Sequence, residues 1–260
     1  MKSNNKKYSV SFSDLEKLVS QLPHDIELTI VGGQALQFWA SFYHNSFTQY
    51  IEQDGLYFAT TDIDFVASSK DAIKCARAWG ASPSIPGAND ITPNTALIEL
   101  CLDGKTIRID FLSDYLKPGK LKNSFFSRTP LSPSRPLYVL SPFTVMLAKI
   151  ANILVLKRNN EQSIGQLKAS FAITKCYIED RLKAGEMKDA QSIISQVLYI
   201  AGESTLGIQL YKLSIDVVEA LPADDKFMVL DSRFVDYNIN SVKERLYKKR
   251  TKIDQSLGCV

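Results

Sequence analysis

Three aspartates in this chain have the spacing and surroundings of a divalent-cation site. In Thr60-Thr61-Asp62-Ile63-Asp64-Phe65, two carboxylates stand at i and i+2. On a strand that spacing turns both side chains to one face and sets them about 6–7 Å apart along the chain. Ionised carboxylates so close raise one another's pKa unless a cation lies between them. Mg2+ suits such a place, since it takes hard oxygen ligands and keeps waters for substrate phosphates. An Asp-x-Asp pair alone equally describes a polar stripe on an edge strand. The apolar frame of Ile63, Phe65 and Val66 argues for a strand of a core sheet. A second run, Thr106-Ile107-Arg108-Ile109-Asp110-Phe111, alternates in the same way. It puts Thr106, Arg108 and Asp110 on one face, so that Asp110 supplies a third carboxylate from another strand. An Arg108–Asp110 pair on a solvated face is the competing reading.

Other elements must position these residues. Glu27–Val31 is short and apolar, as a buried strand would be. Gly32-Gly33 follows, and Ala35, Leu36, Phe38, Trp39 and Phe42 then keep helical spacing. A glycine pair between strand and helix lets backbone approach a ligand closely, and a helix N-terminus favours anions; a simple tight turn would use the same residues. No Gly-Lys-Ser/Thr follows, so this is not a P-loop. A helix is expected over 11–22 with Ser13 as N-cap, a strand over Asp62–Ala67, a helix over Lys70–Trp79 and a loop over 80–94. Strands Ala96–Leu102 and Thr106–Leu112 flank Asp103-Gly104, a strong hairpin signal. Residues 116–136 carry Lys117, Lys120, Lys122, Arg128 and Arg135 with no acid among them, and read as a basic connecting loop. From Pro142 onward helical periodicity dominates, with helices expected at 142–157, 164–184, 187–201 and 205–220. The fold class expected is α+β: a small mixed-sheet domain over 1–138, then an all-helical domain over 139–260.

Composition limits the chemistry. With 45 % hydrophobic and 23 % charged residues, the 260-residue chain has the make-up of an ordinary globular protein. Its four cysteines include no CxxC pair, and its only histidines are His24 and His44. Zinc knuckles and a Ser-His-Asp triad are therefore disfavoured. The start lacks the apolar run of a signal peptide and no long apolar stretch occurs, so a cytoplasmic protein without a membrane segment is expected. A net charge of +3 says little by itself, but the basic loop and the cluster Lys243, Arg245, Lys248, Lys249, Arg250 and Lys252 would attract a phosphate backbone. A solubilising loop and a solvated helix end would look the same.

Taken together, Val31-Gly32-Gly33-Gln34-Ala35-Leu36, Thr60-Thr61-Asp62-Ile63-Asp64-Phe65 and Ile109-Asp110-Phe111 resemble the signature of the polymerase-β-like nucleotidyltransferase superfamily. Within it the chain is similar to AbiE-type abortive-infection toxins, which also carry a Ser-Pro helix with a lysine, matched by Ser141-Pro142 and Lys149. The resemblance covers roughly residues 25–160. It implies that Asp62, Asp64 and Asp110 bind Mg2+ or Mn2+, with Asp110 helping to activate the acceptor hydroxyl. It further implies that Gly32 and Gly33 hold phosphates of an NTP co-substrate, in a nucleotide-binding set with Thr60 and Lys149. The acceptor would be RNA, tRNA first, or a protein hydroxyl, and an antitoxin partner would accompany a toxin. Three departures stand out. Gln34 occupies the place of a small hydroxyl residue, residues 43–59 look like an insertion, and Gln162–Leu167 has Ser163 and Gln166 where relatives carry acids. An antibiotic-type small-molecule nucleotidyltransferase and a catalytically silent nucleotide-binding relative are the competing functions.

Overall fold

The structure, a computed structural model, describes residues 10–44, 46, 60–87, 89–90, 92–114, 117–118, 121 and 125–257. It is α+β, as expected. Two compact units are formed: Met1–Phe42, Tyr57–Leu116 and Phe126–Ala148 in the first, and Tyr43–Leu56, Lys117–Phe125 and Lys149–Val260 in the second. The main division thus falls at 148/149 rather than 138/139. The physical reason is that a strand at 137–140 completes the sheet of the first unit.

That sheet has the strand order β3-β4-β2-β1-β6-β5. Its strands are β1 (Leu28–Ile30), β2 (Asp62–Val66), β3 (Asn94–Leu102), β4 (Lys105–Leu112), β5 (Arg128–Pro130) and β6 (Leu137–Leu140). The Asp103-Gly104 hairpin forms as expected, both residues having positive φ (51° and 77°), which matches the twist of the flanking strands. β2 pairs antiparallel with β1 and parallel with β4, while β6 runs parallel to β1. Strands β5 and β6 lie in or just after the stretch expected to be loop. Both are very short and proline-flanked, so no alternation announces them. β6 takes its ladder from β1, and Pro130 sits on the edge strand, where a missing N–H is tolerated.

Alternation decides which face of the sheet is apolar. Ile63, Phe65, Ile109 and Phe111 are fully buried. Phe65 stacks on Phe111 at 5.7 Å, and Trp79 tilts against Phe111 at 6.3 Å. Trp79 ends α3 (Ser69–Ala78) and donates its indole N–H to Leu18 O of α1 (Phe12–Ser20), tying both helices to this core. The helix α2 (Gly32–Phe42) starts as soon as β1 ends. The N-cap of α1 is Ser11, not Ser13: Ser11 Oγ accepts from Asp14 N at 3.2 Å and Ser11 N donates to Asp14 Oδ2 at 2.9 Å. Both serines have an acid three residues on, Asp14 and Glu16, but it is the Ser11–Asp14 pair that closes the box. The expected insertion at 43–59 falls almost wholly outside the described residues, and so do Lys120 and Lys122.

α4 (Pro142–Leu154) spans the division between the units. The second unit contains α5 (Glu161–Lys183), capped by Asn160, then α6 (Met187–Gly202) and α7 (Thr205–Tyr211). The helix expected to reach 220 stops at Tyr211; Ser214 takes φ 59°, and a 3-10 turn at Val217–Ala220 follows. Later come α8 (Ser232–Phe234), a π-helical segment (Val235–Asn240) and α9 (Ser241–Leu257). Among the described residues no helix is long and apolar enough to cross a membrane.

The Ser11 box makes a pH test. Its backbone hydrogen bond, with the Ser11 hydroxyl and Lys105 adding, holds the Asp14 carboxyl below its ordinary value of 3.8 against the cost of burial. A carboxylate depressed in the folded state adds stability above the unfolded pKa and loses it as pH falls through the folded one. Asp14→Asn therefore destabilises the chain at neutral pH, and its melting temperature converges on the wild type's below about pH 4. Parallel melting curves for the two proteins at all pH values would contradict this.

Candidate metal centre

Parallel pairing of β2 with β4 sets Asp62 against Arg108, Ile63 against Ile109 and Asp64 against Asp110. With the isoleucines and phenylalanines turned to the core, the three aspartates share the opposite face. Each offers an oxygen, and the three oxygens lie within 4.8 Å of one another. Asp62 and Asp64 are half-buried and Asp110 is buried. The residues singled out from sequence thus converge. The cluster is a group that can hold a metal ion; its all-carboxylate donor set is hard and anionic, as Mg2+ or Mn2+ requires.

The glycines are explained by the side chains that approach them, Asp64 at Gly32 and Thr60 at Gly33. Gly32 has φ +64°, and a Cβ placed on it would lie 2.1 Å from Asp64 Oδ2. Backbone and carboxylate approach too closely for any side chain there. A Cβ on Gly33 would lie 2.9 Å from Thr60 Oγ1. The β1–β2 ladder fixes this proximity, since Val31 N donates to Asp64 O at 3.1 Å just before the helix begins. The first turn of α2, with N–H groups that lack intrahelical acceptors, therefore starts beside the carboxylates.

Thr60 takes a positioning role. It is buried, receives Val10 N on its carbonyl at 2.8 Å, and donates Oγ1 to Asp62 Oδ1 at 2.9 Å. Gln34, in the place of a hydroxyl residue, is fully buried and donates to Val10 O at 3.4 Å. Lys149 belongs to the second unit; there it is buried and donates to Gln166 Oε1 at 2.8 Å. An amide thus meets the lysine at a position where an acid was expected from the resemblance.

Two further residues engage Asp110: Arg108, in the ion pair that the competing reading had foreseen, and Asn94, which was missed. Arg108 Nε donates to Asp110 Oδ2 at 3.1 Å and its Nη2 to Oδ1 at 3.1 Å. These hydrogen bonds raise the guanidinium pKa above its ordinary value against the effect of burial, with Asp62 and Glu99 contributing. Asn94 Nδ2 donates to Asp110 Oδ1 at 3.0 Å. Asn94 was expected in a loop; a register shift between Asn94 and Ala96 brings it into β3 opposite Leu112. Bulges commonly re-aim a side chain in this way, and nothing in the sequence announces one here.

The basic stretches are largely matched within their own units. Arg128 pairs with Glu27 at 2.6 Å and lies 3.8 Å over the Tyr138 ring, and Arg135 donates to His24. On α9, Lys243 meets Asp224, Lys248 meets Glu244 at 2.7 Å, Arg250 meets Asp216 at 2.5 Å, and Lys249 donates to Gly202 O.

Gly32→Ala is expected to cost roughly 1–3 kcal/mol in urea denaturation, from left-handed backbone strain and displacement of Asp64. Mn2+ binding should weaken with it. A variant with unchanged stability and unchanged Mn2+ affinity would show that the close approach is dispensable.

Set beside family models, curated proteins and solved structures, the chain matches none of them.

Proposed function

We propose that the chain is a metal-dependent nucleotidyltransferase, moving a nucleoside monophosphate from an NTP to an acceptor hydroxyl. One observation carries this reading: Asp62, Asp64 and Asp110 converge within 4.8 Å beside a glycine turn that opens a helix. The three carboxylates would hold Mg2+ or Mn2+, which when bound supplies charge stabilisation to the attacking and leaving oxygens. Gly32, Gly33 and the start of α2 would receive the triphosphate, since helix N-termini favour anions and glycine admits them closely. The acceptor oxygen bonds to the α-phosphorus while the bond from that phosphorus to the β-bridging oxygen breaks. Pyrophosphate leaves, and the hydroxyl proton passes to Asp110. Thr60 holds Asp62 in place throughout.

The choice of acceptor follows the resemblance to AbiE-type toxins: RNA, tRNA first, with a protein hydroxyl second, in the cytoplasm and in company with an antitoxin. The internally matched charges of Arg128, Arg135 and α9 lend an RNA acceptor little support. Pairing of Lys149 with the neutral Gln166 favours a second reading, a nucleotide-binding relative without transferase activity.

Incubation with labelled NTPs and Mg2+ or Mn2+, in the presence of total tRNA, total protein or aminoglycosides, separates these readings. Label is expected in a macromolecular acceptor. Label in the aminoglycoside would instead identify an antibiotic-type enzyme, and NTP binding without transfer would identify the silent relative. Asp62→Ala and Asp64→Ala should each cut transfer by roughly a hundredfold or more with urea midpoints close to wild type. Full activity in either variant would refute the metal assignment.

A further inference from the structure

We infer that Arg108 guards the third carboxylate, holding Asp110 in a two-pronged grip that divalent-cation binding at Asp110 must loosen. The inference rests on the proposed reading of Asp62, Asp64 and Asp110 as a metal centre. Its basis is the way Asp110 is engaged. Both of its oxygens accept from the Arg108 guanidinium, Oδ2 at 3.1 Å and Oδ1 at 3.1 Å, and Oδ1 accepts from Asn94 Nδ2 as well. The Asp110 side chain is only 11 % exposed and that of Arg108 52 % exposed. The carboxylate is therefore enclosed, while the guanidinium can swing into solvent. A planar guanidinium matches a carboxylate in charge and shape. Arg108 thus cancels one of the three negative charges gathered on this face, and lets them stay together without a cation.

Two consequences follow. Cations bind in unequal steps, the first using Asp62 and Asp64, the second requiring Asp110 to exchange the guanidinium for a metal. The released guanidinium remains on the aspartate face, since Arg108 pairs in register with Asp62 on the neighbouring strand. There it can bond phosphate oxygens as well as it bonded the carboxylate. NTP and the second cation therefore assist one another, each favouring the state in which the grip is open.

Mn2+ titration of the full chain, following free Mn2+ by electron paramagnetic resonance, tests this with circular dichroism as a fold control. Wild type should show a stronger and a weaker site, the weaker one tightening when a non-hydrolysable NTP analogue is added. Arg108→Gln should tighten the weaker site roughly tenfold, the scale on which groups bonded to metal ligands act, and should abolish the effect of the analogue. Arg108→Lys, which keeps the charge but not the fork, should fall between. An unchanged weaker site in Arg108→Gln overturns the inference, and so does Arg108→Lys behaving as wild type, because charge alone would then account for the effect. If wild type binds Mn2+, and Asp62→Ala abolishes that binding, either result removes the guard but leaves the metal centre standing. Failure of wild type to bind Mn2+ at all overturns both.

Discussion

Three carboxylates crowded within 4.8 Å repel one another, at a cost on the order of a few kcal/mol per ionised pair before solvent screening. They stay together because the other side of the same strands is apolar. Ile63 and Phe65 of β2 and Ile109 and Phe111 of β4 are fully buried. A one-residue slip of either strand would carry these groups to solvent and the aspartates into the core. Burying four such side chains stabilises the native register by several kcal/mol, enough to outweigh the repulsion it enforces. Packing on one face thereby determines electrostatics on the other.

The residues around the cluster read as responses to that constraint. Thr60 steadies Asp62 through its hydroxyl, and Arg108 with Asn94 engages Asp110. Gly32 yields the space that Asp64 occupies. None of these roles is that of a general surface residue. Each depends on where β2 lies relative to β1 on one side and β4 on the other, which links the site to the sheet topology.

Legibility in the sequence followed the range of the interaction. Alternation, the Asp103-Gly104 turn and the glycine pair act over a few residues, and from them β2, β4, the hairpin and the convergence of Asp62, Asp64 and Asp110 could be read. Strands β5 and β6 could not, because their partners are distant in the chain and their own residues show no period. Asn94 was hidden by a register shift, which depends on pairing with β4 rather than on local composition. Thr60 was read as a nucleotide contact; that its hydroxyl holds Asp62 required knowing the turn that joins them. The division at 148/149 was displaced from 138/139 because β6 joins β1, far earlier in the chain.

Anomalous diffraction from crystals grown with Mn2+ and a non-hydrolysable NTP analogue tests the metal assignment most directly. The expected result is a manganese peak bridging the carboxylates of Asp62, Asp64 and Asp110, with the triphosphate against the Gly32-Gly33 turn. Manganese bound elsewhere, or an analogue lodged away from that turn while the three carboxylates carry no peak, would contradict it.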